Sequence, residues 1–191
     1  MIKDAQDRFL SRKWGVFHHY LHGLQNGSDE RRNPVGKPAD WNDCVDSFDV
    51  EKLAYTLHKI KAGYYFITLM QGDQYMIAPN ETFDRIAGTK PGEASARRDL
   101  PADLYDALSK YDIDLFLYYT GDGPCRAVES IGKRFDAPMW HKCKVSEKFV
   151  DNWAAVLEEY AVRYGDKVKG WWIDGCYEYL GYNDRLMDRV N

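Results

Sequence analysis

Four short apolar runs alternate with amphipathic segments along this chain, and this order constrains the fold more than any other feature. The apolar runs are rich in β-branched and aromatic residues and have the length of strands, while the segments between them carry apolar residues at helical spacing. The predicted strands are 14–20, 64–70, 114–119 and 168–173. The order β-α-β-α-β-α-β is typical of an α/β fold with a parallel sheet, because parallel strands need long crossover connections.

The three predicted helices between these strands have recognisable boundaries. Asp49 can cap the first helix and Gly63 can end it, and Pro101 suits the first turn of the second helix. The third helix has the longest apolar stripe, and Ser146 can cap it.

A fourth helical pattern begins near residue 182, with Asn183 or Asp184 able to cap it, and the sequence stops about two turns later. Four strand–helix units are half of an eight-unit barrel. The sequence therefore predicts one catalytic-type domain, residues 1–191, with a (β/α)8 TIM-barrel-like fold of which about four βα units are present. Either the sequence is a fragment, or a homo-oligomer completes the sheet.

The charge balance argues against two classes of partner. There are 26 basic and 30 acidic residues, which give a net charge of -4 and no basic patch suited to nucleic acid. No apolar stretch approaches the roughly 20 residues of a membrane-spanning helix, and the first fifteen residues lack the apolar core of a signal peptide. We therefore expect no nucleic acid, no membrane and, by default, a cytoplasmic location.

The sequence predicts neither a metal site nor a cofactor. Its four cysteines are scattered and form no Cys-x-x-Cys pair. A metal site built from His18, His19 and His22 is disfavoured, because adjacent histidines on a strand point apart. No glycine-rich nucleotide motif follows the first strand.

Candidate functional residues lie at or just after the carboxyl end of each predicted strand. Parallel α/β folds build their active sites at these ends. Adjacent residues on a strand point to opposite faces, so only one of a neighbouring pair can face a ligand. The candidates are His18 and His19 at the end of the first strand, Gln71 and Asp73 after the second, Tyr118 and Tyr119 at the end of the third, and Asp174 after the fourth. From the two neighbouring pairs we select His19 and Tyr119.

Two tryptophans are candidates for stacking against a sugar. The chain is rich in aromatic residues, with 6 Trp, 14 Tyr and 8 Phe. Trp172 shares a strand face with Asp174 by the two-residue period. Trp41 lies in the polar loop 23–46, where a tryptophan outside the predicted core suggests a sugar platform.

Several segments resemble the α-L-fucosidases of glycoside hydrolase family 29, over nearly the whole chain. They are KWGVFHHY, FDVEKLAYTLHKIKAGYYFITLM, RRDLPADLYDALSKYDIDLFLYYTGDG and KGWWIDG. The resemblance implies a (β/α)8 catalytic domain that hydrolyses α-L-fucosides with retention through a covalent glycosyl-enzyme intermediate. It implies that Asp174 is the nucleophile, that His19 contacts the sugar, and that the partner is a carbohydrate.

The chain departs from the family pattern after the second strand. The family usually has two histidines followed by Asp-Gly there, whereas this chain has Met70-Gln71-Gly72-Asp73. Gln71 and Asp73 are the hydrogen-bonding groups that could replace the imidazoles and alter sugar specificity. The family's acid/base lies beyond the end of this sequence. Glu178 is a candidate substitute, although a loop glutamate is more often solvated.

Three functions are compatible with these features. The first is a glycoside hydrolase resembling α-L-fucosidase. The second is a catalytically inactive carbohydrate-binding protein derived from such an enzyme, which would bind sugar without cleaving it. The third, a sugar isomerase or aldolase-like barrel, would need a metal cluster or a reactive lysine at a strand end, and no predicted strand ends in lysine.

Overall fold

A computed structural model of the chain describes residues 2–25 and 40–189. The strands are β1 (Gly15–His18), β2 (Tyr64–Met70), β3 (Asp114–Thr120) and β4 (Val168–Asp174). The α-helices are α1 (Ile2–Ser11), α2 (His22–Gln25), α3 (Trp41–Asp46), α4 (Val50–Lys59), α5 (Glu81–Ala87), α6 (Leu100–Ser109), α7 (Glu129–Phe135), α8 (Glu147–Tyr164) and α9 (Asp184–Met187). No helix in the described ranges is long and apolar enough to cross a bilayer.

The four strands form one parallel sheet in the order β1-β2-β3-β4. The α/β class and the parallel sheet predicted from the sequence are therefore confirmed. The spatial order of the strands is their order in the chain, whereas a doubly wound sheet reverses direction at a switch point. All four carboxyl ends consequently lie along one edge of the sheet.

The boundaries of the long helices follow their capping residues. The Asp49 carboxylate accepts a hydrogen bond from the Lys52 amide at 2.9 Å at the start of α4, and Ser146 accepts one from the Phe149 amide at 3.1 Å at the start of α8. Gly63 does not end α4, which stops at Lys59. A Cβ on Gly63 would lie 2.2 Å from a backbone oxygen of the α1–β1 loop, so this glycine allows a close chain crossing instead.

Three short helices, which the sequence does not predict, lie in the connections after β1, β2 and β3. α3 occupies part of the loop 23–46, of which residues 26–39 lie outside the described residues. α5 and α7 lie in the segments after β2 and β3. Each spans seven residues or fewer, too short for a helical period to stand out. Asn80 and Gly88, which cap the two ends of α5, are the sequence signals from which that helix could be predicted.

The two faces of the sheet differ in their surroundings. The face toward the helices is buried, and its side chains include Tyr65, Ile67, Leu69, Leu117 and Tyr119. The other face carries a layer of aromatic rings, in which Phe66 stacks on Phe116 with centroids 4.7 Å apart. Phe17 and Trp172 extend this layer and remain 39% and 51% exposed.

A buried carboxylate attaches α1 to the amino-terminal edge of the sheet. Asp114 is 4% exposed and accepts hydrogen bonds from Arg8 at 2.6 and 2.9 Å and from Arg12 at 2.8 and 3.0 Å. Burial alone would raise the pKa of Asp114, but these hydrogen bonds lower it overall. The network positions Phe9 of α1 against the rings of Tyr64 and Phe116.

We expect Asp114→Asn to lower the free energy of unfolding by about 2–3 kcal/mol, because it removes the anion that two guanidinium groups share. The effect stays below that of a fully buried pair, since Arg8 is 47% exposed. Urea denaturation followed by tryptophan fluorescence measures it. Asp112→Asn is the control, because the Asp112 side chain is 83% exposed and also pairs with Arg12; its loss should cost less than about 1 kcal/mol.

Candidate active site

Asp174, the last residue of β4, has a carboxylate with three hydrogen-bond donors. The Tyr118 hydroxyl donates to Oδ2 at 2.9 Å. The Gly175 amide and the Tyr177 hydroxyl donate to Oδ1 at 2.8 and 3.0 Å. Donors on both oxygens fix the orientation of the carboxylate before any ligand arrives.

The conformation of the residue after Asp174 strongly favours glycine. Gly175 has a φ of 82°, in the left-handed region. A Cβ at this position would lie 3.0 Å from Thr120 Oγ1 and 3.1 Å from the Asp122 amide nitrogen. Gly175 therefore lets the chain turn tightly against the β3 end while its own amide supports the Asp174 carboxylate.

Asp174 opens into a cavity of about 320 Å³ at the carboxyl edge of the sheet. The residues that line it are Gln71, Tyr118, Thr120, Asp122, Cys125, Arg126, Trp140, His141, Asp174, Gly175 and Tyr177. A larger space of about 620 Å³ lies between α8 and β4 and contains none of these residues. Glu178 lines a different cavity, beside Asn183, and not the one that contains Asp174.

Tyr118, rather than Tyr119, faces the site, so the selection of Tyr119 from the sequence is wrong. Tyr119 is 1% exposed, stacks on Trp153 of α8 at 4.8 Å and donates its hydroxyl to the Trp153 carbonyl. Tyr118 points the other way and accepts a hydrogen bond from Gln71 Nε2 at 2.9 Å while it donates to Asp174. Burial and the bond to Asp174 raise the pKa of Tyr118.

His19 lies on the same side of the sheet as Tyr118, with ring centroids 5.0 Å apart. Its Nδ1 is 2.7 Å from the Thr68 hydroxyl, which fixes the ring plane. Burial lowers the pKa of His19, although the charge of Asp174 opposes this shift. The imidazole is therefore neutral at pH 7 and offers one donor and one acceptor. His18 points to the opposite face, where its Nδ1 is 2.9 Å from the Tyr65 hydroxyl.

The two candidate tryptophans have different environments. Trp172 is 51% exposed and packs against Phe17 at 5.6 Å, so one part of its ring is open to a ligand. Trp41 is 5% exposed, and its Nε1 donates to the Met76 carbonyl at 2.8 Å. The expectation that Trp41 is a sugar platform is wrong, because the segment forms α3 and buries the ring against Tyr20 and its neighbours.

Gln71 and Asp73, the two residues expected to replace the family's histidines, are separated by the turn after β2. Gln71 lines the cavity and reaches Asp174 through Tyr118. Asp73 does not line it; its Oδ1 accepts from the Tyr75 amide at 2.8 Å and its Oδ2 lies 4.0 Å from His22 Nδ1. Burial raises the pKa of Asp73 to about 6 and lowers that of His22 to about 4.

Asp122, Cys125 and His141 are among the cavity residues that the sequence did not predict. Asp122 Oδ2 lies 2.7 Å from His141 Nε2 and 3.4 Å from Cys125 Sγ. Asp122 follows β3 by two residues, so a slightly wider search of the strand ends would have found it. His141 had no signal in the sequence, because it reaches the site through a turn in which Trp140 and His141 both have positive φ, 54° and 56°.

Comparison with known proteins identifies the architecture. No family model matches the sequence, and no curated protein matches it. Among solved structures, a covalent intermediate of a family 29 α-L-fucosidase from Bacteroides thetaiotaomicron, trapped with 2-fluoro-fucosyl fluoride, is 19% identical with a TM-score of 0.60, over 98% of this chain and 47% of the enzyme. An α-L-fucosidase from Vibrio sp. strain EJY3 is 15% identical with a TM-score of 0.64, over 98% and 35%. The α-fucosidase of Thermotoga maritima in complex with fucose is 14% identical with a TM-score of 0.59, over 98% and 52%.

These likenesses establish the fold. The chain spans between 35% and 52% of the length of these three enzymes and is matched over 98% of its own length. Its α/β architecture with a parallel sheet is therefore shared with part of the α-L-fucosidase fold.

Asp73→Asn should stabilise the protein at high pH. The pKa of Asp73 is about 6 in the folded protein, so the folded state holds this proton more tightly than the unfolded chain does. The ionised carboxylate therefore destabilises the fold above about pH 6. This penalty fades as the pH falls toward about 4, the pKa of the same carboxyl in the unfolded chain. We expect the free energy of unfolding of the variant to exceed that of the wild type by about 1–2 kcal/mol at pH 8 and to equal it near pH 4. The figure at pH 8 is reduced because the Asp73 side chain is 29% exposed and partly screened by solvent.

Urea titrations of both proteins between pH 4 and pH 8 measure this difference. The titration of His22 occurs in both proteins, so it largely cancels when they are compared. Asp106→Asn, which removes an exposed carboxylate from α6, controls for the change in net charge. A stability difference for Asp73→Asn that does not change with pH would contradict the prediction.

Proposed function

We propose that this chain forms part of the (β/α)8 barrel of a retaining glycoside hydrolase that acts on α-L-fucosides, with Asp174 as the nucleophile. The observation that supports this most is the placement of Asp174 at the carboxyl end of β4, in a cavity, with donors on both carboxylate oxygens. The sequential parallel sheet and the match to part of several fucosidase structures support the barrel.

The proposed reaction has two displacements. The Asp174 carboxylate attacks the anomeric carbon, a C–O bond to the enzyme forms, and the bond to the leaving oxygen breaks as an acid on the other side of the sugar gives it a proton. Water then attacks the same carbon and gives a proton to the conjugate base of that acid, while the C–O bond to Asp174 breaks, so that fucose leaves with retained configuration and the carboxylate is regenerated. Residues that lie outside this sequence would supply the acid.

The hydrogen bonds distinguish the two carboxylate oxygens. Oδ1 accepts two bonds, from Gly175 and Tyr177, which occupy both of its lone pairs. Oδ2 accepts one bond, from Tyr118, and keeps a lone pair. We therefore assign the attack to Oδ2, with Tyr118 orienting it.

The sugar would lie against the exposed aromatic face of the sheet. Trp172 precedes Asp174 by two residues on that face and offers an open ring surface. His19 Nε2 would bond a sugar hydroxyl, since Nδ1 is already held by Thr68. Gln71 Nε2 carries a second N–H and Oε1 can accept, so Gln71 can contact the sugar while it holds Tyr118, and this would couple sugar recognition to the orientation of the nucleophile.

Incubation with 2-fluoro-fucosyl fluoride tests the nucleophile. Fluoride leaves without protonation, so the step does not require the acid. We expect intact mass spectrometry to find one fluorofucosyl group on the wild type, peptide mapping to place it on Asp174, and Asp174→Asn to remain unlabelled. Asp166→Asn, at the opposite end of β4, is the matched control and should label like the wild type.

A parallel calorimetric titration with L-fucose separates the alternatives. Fucose binding without labelling would refute the hydrolase and favour a carbohydrate-binding protein. Absence of both binding and labelling would contradict the proposed substrate class.

Tyr118→Phe should slow the labelling of Asp174 by 2-fluoro-fucosyl fluoride. The Tyr118 hydroxyl holds Oδ2 in position, and misplacing a reacting atom by about 1 Å can cost about 100-fold in rate, so its loss should reduce the rate of labelling by about 10- to 100-fold. Tyr119→Phe is the matched control, because it removes the adjacent hydroxyl from the buried face. It should lower the melting temperature without changing the labelling rate, and equal labelling rates for the two variants would exclude a role for Tyr118.

A further inference from the structure

Three side chains of different chemistry converge in the cavity beside Asp174. One carboxylate oxygen of Asp122, the sulfur of Cys125 and a ring nitrogen of His141 all lie within 4.8 Å of one another. We propose that these three residues form a binding site for a Zn²⁺ ion. This inference goes beyond the proposed hydrolysis and does not depend on it.

The donor set selects the ion. Thiolate, imidazole and carboxylate are the three ligand types that Zn²⁺ accepts, and sites with three protein ligands keep a fourth position for water or a substrate oxygen. Mg²⁺ and Ca²⁺ prefer oxygen ligands and would not use Cys125. On binding, the Cys125 sulfur exchanges its proton for a bond to the ion, and the proton leaves to the solvent.

The Asp122 carboxylate is oriented as a metal ligand is. Its Oδ1 accepts a hydrogen bond from the Thr120 hydroxyl, which leaves Oδ2 directed at both Cys125 and His141. The Thr120 carbonyl in turn accepts a bond from the Trp153 indole, so the supporting residue is itself fixed from the core. Supporting hydrogen bonds of this kind set the direction of metal-binding carboxylates.

The backbone also holds the other two ligands together. The Trp140 amide donates to the Cys125 carbonyl at 2.7 Å, which ties the turn carrying His141 to the segment carrying Cys125. Trp140 and His141 are consecutive left-handed residues, a conformation that is unfavourable for residues that carry a side chain. Such strain persists where the surrounding structure determines it, and functional sites are where it concentrates.

An ion pair between Asp122 and His141 explains only part of this arrangement. It accounts for the 2.7 Å contact but not for the sulfur of Cys125, which is 1% exposed and directed at the same carboxylate oxygen. All three residues line the cavity that contains Asp174. A bound ion would therefore bring positive charge and an open coordination position into this cavity.

Titration of the metal-free protein with Zn²⁺, and separately with Co²⁺ as a spectroscopic substitute, tests the site. We expect one equivalent of Zn²⁺ by calorimetry. Co²⁺ should give a near-ultraviolet charge-transfer band from the thiolate. Cys125→Ser should abolish that band, and both Cys125→Ser and His141→Gln should weaken Zn²⁺ binding at least about 100-fold, beyond the 10- to 100-fold typical of supporting residues. Thr120→Ala should weaken it about 10- to 100-fold and keep the band.

Two matched variants control for adventitious binding. Cys143→Ser removes an exposed cysteine and His58→Gln removes an exposed histidine on α4, and both should bind as the wild type does. Circular dichroism checks that every variant is folded.

Failure of the wild type to bind Zn²⁺, or binding that Cys125→Ser and His141→Gln leave unchanged, would overturn the proposal. The three side chains would then form a hydrogen-bonded cluster only. None of these measurements depends on hydrolysis, so the test of the metal site stands even if the fucoside-labelling experiment fails.

Discussion

The pairing register between β3 and β4 is the constraint on which the rest of the site depends. Tyr118 lies opposite Trp172, and Thr120 lies opposite Asp174. Because strand side chains alternate, a shift of one residue would turn Asp174 toward the helices and bring Ile173 into the cavity. The same register places Thr120 between two carboxylates, next to Asp174 along the sheet and hydrogen-bonded to Asp122.

The fold was predictable because its signals are local. The buried strands are continuous apolar runs, and the long helices carry caps such as Asp49 and Ser146 whose bonds the structure contains. β1 was predicted too long, because the aromatic and histidine residues that flank it resemble strand residues without pairing as such. Short helices such as α5 were missed because few turns give no period, although a cap can still mark them.

The site was less predictable because side-chain direction is a property of tertiary packing. The sequence contains two adjacent tyrosines, and the stacking of Tyr119 on Trp153 determines that Tyr119 packs in the core and Tyr118 faces the cavity. The burial of Trp41 was not predictable for the same reason, since it depends on the rings of residues that are distant in sequence. The proposed metal site was not predictable from spacing along the chain, because Asp122 and His141 are 19 residues apart and meet through a strained turn.

Within the described residues, β1 and β4 each pair on one side only. Their remaining main-chain donors and acceptors face outward in the plane of the sheet, and beside β4 the groove under Trp171 and Ile173 extends along α8. Open edges of this kind are templates for strand addition. A separately expressed chain that pairs its own strands with these edges could therefore extend the sheet, which makes the two edges a starting point for split-protein engineering.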